Sequence, residues 1–208
     1  LNLSGYAQTV GSLTGSGMVV NEINVSKNGL ILYLDAANVL SYAGSGSMTW
    51  NDLSVSGYNG TFTGTPTYDT GNKAIIFSGD DFVTLPSGFA NFTNGITIVS
   101  KANLGTANVW ERIVDLGGGG EVNNILFSRG GTTTNLMYQL YNTNASTSYN
   151  GVSRIIDSTF ANYAATQTVA GTPALYVNGS VVGGTVDGGT WNALPNNVTR
   201  TSNYIGKS

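Results

Sequence analysis

Short apolar or alternating stretches, separated by glycine, asparagine, aspartate and proline, follow one another along most of the chain. The first, "LILYL" at residues 30–34, is an unbroken apolar run that predicts a buried strand. "NGTFTG" and "PTYD" then alternate with a period of two, which is typical of half-buried strands. No window keeps a 3.6-residue period, and 29 glycines among 208 residues would weaken long helices. The pattern predicts an all-β protein.

Further strands are predicted at residues 73–79, 81–86, 95–104, 111–117, 124–130, 136–142 and 202–208. Residues 162–169 and 174–184 are predicted to form a hairpin region, whose turn is Asn178-Gly179, the strongest short hairpin signal. Ten or more short strands in one domain predict two antiparallel sheets packed face to face, as a sandwich or jelly roll.

The first 26 residues differ in composition from the rest of the chain. They are rich in glycine and serine, which predicts an arm or linker with one strand at "GMVVNEINV" (residues 17–25). The domain proper is predicted to span residues 27–208. No apolar run approaches the ~20 residues that cross a bilayer as a helix. Because the sequence begins at Leu1, we expect processing or a segment of something longer.

Composition excludes several kinds of chemistry. The chain has no cysteine and no histidine, so disulfides, thiolate metal sites and a Ser-His-Asp triad are ruled out. Charged residues make up only 9%, and the few Lys and Arg are scattered. Without a basic stripe to neutralise phosphates, nucleic-acid binding is not expected.

Five blocks of the sequence carry a resemblance to a known family: "GLILYLDAANVLSYAGSGSMTWNDLSVSGYNGTFTGTPTYD", "AIIFSGDDFVTLP", "WERIVDLGGG", "NYAATQTVAGTPALYVNGSVVGG" and "NVTRTSNYIGKS". In this order they resemble laminin G-like domains with the concanavalin A-like jelly-roll fold. The resemblance covers about residues 28–208 and implies an all-β sandwich of two curved antiparallel sheets. The sequence of the first block, with "LDAAN", is similar to variants in structural proteins of tailed phages and in large bacterial surface proteins.

Two departures from the family stand out. Where members usually have Trp-His-His before the Tyr-Ala-Ala strand, this chain has Phe160-Ala161-Asn162. The family's final strand, with an acidic pair and an Arg-Ile-Tyr run, would follow "YIGKS", where this sequence stops. That strand lies beyond the sequence, or residues 1–26 take its place, or another subunit donates it. An open sheet edge exposes unpaired backbone groups and must be filled or protected.

Catalysis has few candidates. Glycosidases on this fold use two carboxylates that face one cleft. Glu111 and Asp115 lie four residues apart, which places them on the same face of a strand. Pairing with Arg112, Arg129 or Lys101 at a sheet margin is the competing interpretation. We predict that the chain is not an enzyme and has no catalytic residues.

Four aspartates are candidate metal ligands: Asp80, Asp81, Asp52 and Asp35. Oxygen ligands on loops suit Ca²⁺, and the resemblance implies calcium on a sheet rim, as in many laminin G-like domains. The alternative is that Asp80 organises an Asx turn, Asp81 begins a strand and Asp35 caps the turn after residues 30–34. No cofactor is required by the sequence, and Ca²⁺ is a candidate.

Aromatic side chains beside Gly- or Asn-rich loops are candidate platforms for sugar rings. The candidates are Trp191, Tyr149, Tyr58 and Trp50, with Trp191 in "GGTWNALP" the strongest for an exposed position. Trp50 and Trp110 recur in the family blocks, which favours packing in the core or at its rim.

The sequence thus predicts a non-enzymatic structural or adhesion module of a virion, as a capsid decoration or a tail or fibre protein that contacts host glycans. The alternative is a carbohydrate-binding module of a larger secreted bacterial surface protein. Expected partners are other subunits of a virion or surface assembly, through residues 1–26 and an open sheet edge. The expected location is the virion or the cell surface.

Overall fold

The computed structural model describes residues 26–105, 110–143, 145–151, 155, 158–169, 173–187, 191 and 194–207. Within these ranges the chain forms strands and turns and no helix, which confirms the all-β prediction. The strands are β1 (Thr49–Trp50), β2 (Gly60–Thr63), β3 (Thr67–Asp69), β4 (Ala74–Ile76), β5 (Phe82–Leu85), β6 (Ile96–Ala102), β7 (Arg112–Gly117), β8 (Ile125–Arg129), β9 (Leu136–Asn142), β10 (Ala145–Gly151), β11 (Ala161–Gln167), β12 (Ala174–Val177), β13 (Ser180–Val182), β14 (Thr185–Asp187) and β15 (Ser202–Ile205).

The strands build three antiparallel sheets. The nine-stranded sheet has the order β1-β2-β5-β15-β7-β8-β9-β10-β14, the four-stranded sheet β13-β12-β11-β6, and β3 pairs with β4. Most neighbours in the large sheet are also close in sequence. Two strands depart from this. β14 pairs with β10 although three strands lie between them in sequence, and β15 inserts between β5 and β7, which ties the last described strand to the early ones.

One apolar core joins the two larger sheets. Phe127 and Tyr138 from the nine-stranded sheet and Tyr163 and Leu175 from the four-stranded sheet are at most 1% exposed and belong to one cluster of buried side chains. Since both sheets bury one face in the same core, the described part of the chain is a β-sandwich.

Most predicted strands are confirmed. Residues 136–142 form β9 with the predicted bounds, and the other predicted runs from residue 60 onward each contain a strand. The Asn178-Gly179 turn joins β12 to β13. Its two residues have φ angles of 49° and 80°, and positive φ at both central positions gives a turn whose twist matches that of the flanking strands.

The prediction of a buried strand at residues 30–34 is wrong. No strand is assigned there, and its residues are half-buried or exposed, with Ile31 40% exposed. The backbone of Tyr33 bonds a loop instead: its N–H donates to Asp52 Oδ1 (2.8 Å) and its C=O accepts from Leu53 N–H (2.8 Å). An apolar run alone does not specify a strand, because a strand also needs a neighbouring backbone.

Strand β10 was not predicted. Its sequence, "ASTSYNG", is too polar to show a hydrophobic pattern. All seven of its residues nevertheless pair with β9, so an adjacent, strongly patterned strand determines its conformation. The short strands β1 and β14, at the two ends of the large sheet, were also not predicted.

The predicted arm, with its strand at residues 17–25, lies outside the described residues except for Ser26. Within the described ranges, no helix has the length and apolar character needed to cross a membrane.

Candidate functional site

A polar groove of about 440 Å³ lies on the side of the nine-stranded sheet that faces away from the core. Residues that line it include Trp110, Gln139, Ser146, Ser148, Asn150 and Asp187. They come from β9, β10, β14 and the chain just before β7. We call this feature the outer groove.

Strand alternation explains why the outer groove is polar. In β9, Leu136, Tyr138 and Leu140 belong to the core, whereas the intervening Met137 and Gln139 line the groove. Successive side chains of a strand point to opposite faces, so one strand serves both surfaces. The groove is therefore built on the outer face of strands whose inner face belongs to the core.

A row of hydrogen-bonding side chains crosses the floor of the outer groove. Gln139 lies opposite Ser148, and Ser148 lies opposite Asp187. An amide, a hydroxyl and a carboxylate thus follow one another over about 10 Å, given the usual spacing between strands. Gln139 and Ser148 are each only 8% exposed, so their polar groups face a partly enclosed space.

Trp110 stands at the rim of this groove with its side chain 43% exposed. The backbone N–H of Trp110 donates to Gly131 C=O (3.0 Å), and the φ of Trp110 is 59°, which is unusual for a non-glycine residue. An exposed indole beside a row of amides and hydroxyls provides an apolar face and hydrogen-bonding groups together. Trp110 had been predicted to pack in the core or at its rim, so its exposure was missed from the sequence.

The predicted aromatic platforms are placed differently. Trp191 is 7% exposed and packs on Tyr138, with ring centroids 5.7 Å apart, so its indole faces the core rather than solvent. Trp50 stacks on Phe62, at 6.0 Å and 13°. Two further candidates also pack inward: Tyr58 contacts Phe89 (4.6 Å between ring centroids), and Tyr149 packs against the core cluster. The structure does not gather the four into one exposed surface.

Each candidate metal ligand with a described bond organises its own loop. Asp35 Oδ1 accepts from Ala37 N–H (2.9 Å), which confirms that it caps the turn after residues 30–34. Asp52 accepts four hydrogen bonds, from the N–H groups of three residues and from one hydroxyl.

Asp81 accepts from Thr65 N–H (2.7 Å) and from the N–H and hydroxyl of Ser78. Asp80 is exposed in the turn before β5. Within the described ranges no group of three or more Asp, Glu, His or Cys side chains comes together as a metal site.

Glu111 and Asp115 do not form a facing pair. The register of β7 against β8 shifts between Arg112 and Val114, and such a bulge breaks the alternation on which their common face was predicted. Glu111 Oε2 accepts from Arg129 Nε (2.6 Å), and Asp115 Oδ2 lies 3.2 Å from Arg112 Nη1. Each carboxylate therefore pairs with an arginine.

Asp115 is 5% exposed, so its ionised carboxylate is largely removed from water, which costs free energy. Burial raises the pKa of its carboxyl above the ordinary value, although a hydrogen bond from Asn124 and the charges of Arg112 and Lys207 act in the opposite direction. A raised pKa means that the folded protein binds this proton more tightly than the unfolded chain does. The stability of the fold therefore falls as the pH rises from the pKa of Asp115 in the unfolded chain through its higher pKa in the folded protein.

We expect Asp115→Asn to raise Tm at pH 7, because the amide removes the buried charge and its oxygen still accepts from Asn124. Near pH 3, where Asp115 is protonated in both states, the gain should disappear. Thermal melts of both proteins at the two pH values measure this. Asp187→Asn, at an exposed groove position, is the control and should show no such pH-dependent difference. A lower Tm for Asp115→Asn at pH 7 would contradict the expectation.

The four-stranded sheet presents an apolar row on its outer side. Val99 lies opposite Ala164, Ala164 opposite Tyr176, and Tyr176 opposite Val181. Val99 and Val181 are 69% and 67% exposed. Contiguous exposed apolar side chains are typical of protein contact surfaces. We call this feature the apolar row.

No family model, curated protein or solved structure matches the chain.

Proposed function

We propose that this chain is a non-enzymatic adhesion module that binds glycans in the outer groove. Its fold would be the concanavalin A-like jelly roll of laminin G-like domains, and its setting the surface of a virion, as a capsid decoration or a tail or fibre protein. The observation that carries the proposal is the exposed Trp110 ring beside the row Gln139–Ser148–Asp187.

The groove's chemistry favours sugars over other small ligands. A pyranose ring has an apolar face and a rim of hydroxyls, which match an indole face and a row of amide, hydroxyl and carboxylate groups. Among the described residues that line the groove there is no lysine or arginine, so this part of the lining offers phosphorylated or sulfated ligands no counter-charge. Neutral glycans are therefore the ligand class we propose.

A non-enzymatic role is supported by the pairing of the carboxylates. Glycoside hydrolysis requires two carboxyl groups that flank the scissile bond. In the described structure Glu111 and Asp115, the candidate pair, each contact an arginine, and of the two only Asp115 stands on the groove side of the large sheet.

Contacts with other subunits are supported by two features of the four-stranded sheet. Strand β6 is an edge strand that pairs only with β11 among the described strands, and an edge can accept a strand from a neighbour. The apolar row lies on the outer side of the same sheet.

The alternative function is a carbohydrate-binding module of a larger secreted bacterial surface protein. In that case the outer groove still binds glycans, and the β6 edge and the apolar row need no partner subunit. A monodisperse monomer in sedimentation experiments would favour that alternative.

A glycan array followed by calorimetry tests the proposal. We expect a neutral glycan to bind and Trp110→Ala to weaken its binding by about fivefold or more, since loss of an aromatic contact costs about 1 kcal/mol or more. Tyr176→Ala, which removes an aromatic ring from the opposite face of the sandwich, is the matched control and should leave binding unchanged. Absence of binding to every glycan on the array would overturn the proposed glycan binding. Equal effects of the two variants on affinity would overturn the assignment of the binding site to the outer groove.

A further inference from the structure

A depression of about 390 Å³ lies along the apolar row on the outer side of the four-stranded sheet. Val99, Ala164 and Tyr176 line it, and strand register places the small Ala164 between the other two. The surface therefore dips at Ala164 and rises at Tyr176. Across the sheet the row reads valine, alanine, tyrosine and valine, with the small and the large side chain at its two central positions.

Polar side chains border the apolar row on both sides. Thr97 and Thr166 lie opposite each other on one side. Lys101 and Asn162 do so on the other. Each of the four is two residues from the row along its own strand, and so on the same face of the sheet. An apolar centre with a polar rim is the usual anatomy of a protein–protein interface.

We propose that this face binds a second copy of the chain, with the two four-stranded sheets packed face to face about a two-fold axis. The axis runs along the strands and passes midway between Ala164 and Tyr176, so it reverses the row of the partner. The partner subunit's Tyr176 then lies over Ala164, and the two valines at the ends, Val99 and Val181, face each other across the interface. A two-fold interface requires one patch that complements itself. This row does so, because a large side chain meets a small one at both central positions.

Other alignments about this axis fit less well. A shift that sets Tyr176 opposite the partner subunit's Tyr176 brings two rings into the space of one. A shift that sets Ala164 opposite the partner subunit's Ala164 leaves a void between the sheets. The central alignment also places Lys101, the only charged residue in the four strands, over the partner subunit's Asn178-Gly179 turn, so like charges do not meet.

The size of the face sets the strength of the contact. Four strands about 4.8 Å apart, with up to seven residues of about 3.3 Å each, cover at most about 440 Å² per copy, or about 900 Å² in total. Stable interfaces bury about 1,600 Å², so the dimer should dissociate on dilution. Its two outer grooves face in opposite directions, because each lies on the sheet turned away from the interface. This inference rests on the subunit contact that the proposed function includes, and not on glycan binding.

Sedimentation equilibrium of the full chain over a series of concentrations tests the dimer. We expect the wild-type chain to dimerise reversibly, and Val99→Lys and Val181→Lys each to weaken the dimer by about tenfold or more, since each places two ammonium groups in the apolar centre. Val55→Lys is the matched control: Val55 is 96% exposed and lies outside the four-stranded sheet, so its replacement should leave the dimer unchanged. A wild-type monomer at every concentration, or equal effects of the three variants, would overturn the proposal.

A charge pair tests the alignment. Within one chain Val99 and Val181 lie three strands apart, a distance of about 14 Å, whereas in the dimer each faces the other residue of the second copy. Val99→Lys combined with Val181→Glu should therefore dimerise about tenfold more tightly than Val99→Lys combined with Val181→Lys. Both double variants remove the same two valines, so equal affinities would exclude the two-fold alignment.

The dimer and the proposed glycan binding fail separately in these experiments, because sedimentation needs no glycan. A chain that dimerises but binds nothing on the array would overturn glycan binding alone. A chain that binds a glycan but sediments as a monomer at every concentration would overturn the dimer alone.

Discussion

Arg200→Lys is expected to lower the free energy of unfolding by about 3–5 kcal/mol. The Arg200 side chain is 1% exposed, and three of its nitrogens donate to backbone carbonyls: Nε to Asn123 (2.9 Å), Nη1 to Phe89 (2.8 Å) and Nη2 to Asn196 (3.1 Å). Its guanidinium also lies over the ring of Phe92, at 5.3 Å. The side chain therefore holds three separate loops together.

Lysine cannot replace this arrangement, because a compact ammonium group cannot reach three carbonyls set apart in the plane of a guanidinium. Burial lowers the pKa of Arg200 to about 10, so the group is charged at neutral pH, and no described carboxylate forms an ion pair with it. Lysine would keep a buried charge and leave carbonyls unsatisfied.

Urea unfolding monitored by tryptophan fluorescence measures the loss, with Arg112→Lys as the matched control. Arg112 is partly exposed and forms one ion pair with Asp115, so its replacement should cost about 1 kcal/mol or less. Similar losses for the two variants would contradict the structural role of Arg200.

Asp52→Ala is expected to cost about 2–3 kcal/mol. Asp52 accepts hydrogen bonds from the backbone N–H of Tyr33 (2.8 Å), Ser54 (2.9 Å) and Tyr58 (2.8 Å), and from the Ser54 hydroxyl (2.7 Å). Alanine leaves these donors without an acceptor, and bonds to a charged group are worth about 1.5–3 kcal/mol when buried, less where water can reach. Asp80→Ala removes an exposed carboxylate and should be close to neutral.

Thermal melts of the wild-type chain, Asp52→Ala and Asp80→Ala measure this loss, and they also separate a structural carboxylate from a calcium ligand. If the oxygens of Asp52 serve backbone N–H groups, Tm of the wild-type chain should be the same in EDTA and in millimolar CaCl₂. A calcium-dependent rise in Tm that is lost in Asp52→Ala would show that Asp52 binds the metal, and would contradict the purely structural interpretation.

The strands were predictable where side-chain pattern and local turn chemistry agree. The segment "LMYQLYN" alternates and became β9, and Asn178-Gly179 adopted the positive φ angles that its residues favour. Residues 30–34 and β10 show the limit of this reasoning. The first is apolar but lies beside a loop, and the second is polar but lies beside β9.

The candidate site was less predictable than the fold. Trp110 and Trp191 both stand near glycine-rich sequence, and the exposed platform was expected at Trp191. The structure buries Trp191 against Tyr138 and exposes Trp110 at the rim of the outer groove. Exposure depends on what the rest of the chain places over a side chain, and local sequence does not record this.

By itself, the sequence determined that the protein is all-β, where most strands run, and which chemistries are missing for want of cysteine and histidine. These properties follow from local periodicity, turn residues and composition. Only the tertiary structure decided that Gln139, Ser148 and Asp187 stand in one row beside Trp110, and that Glu111 and Asp115 part at a bulge. Such neighbours are far apart in sequence and are joined by strand register, which is fixed only when both sheets close on a common core.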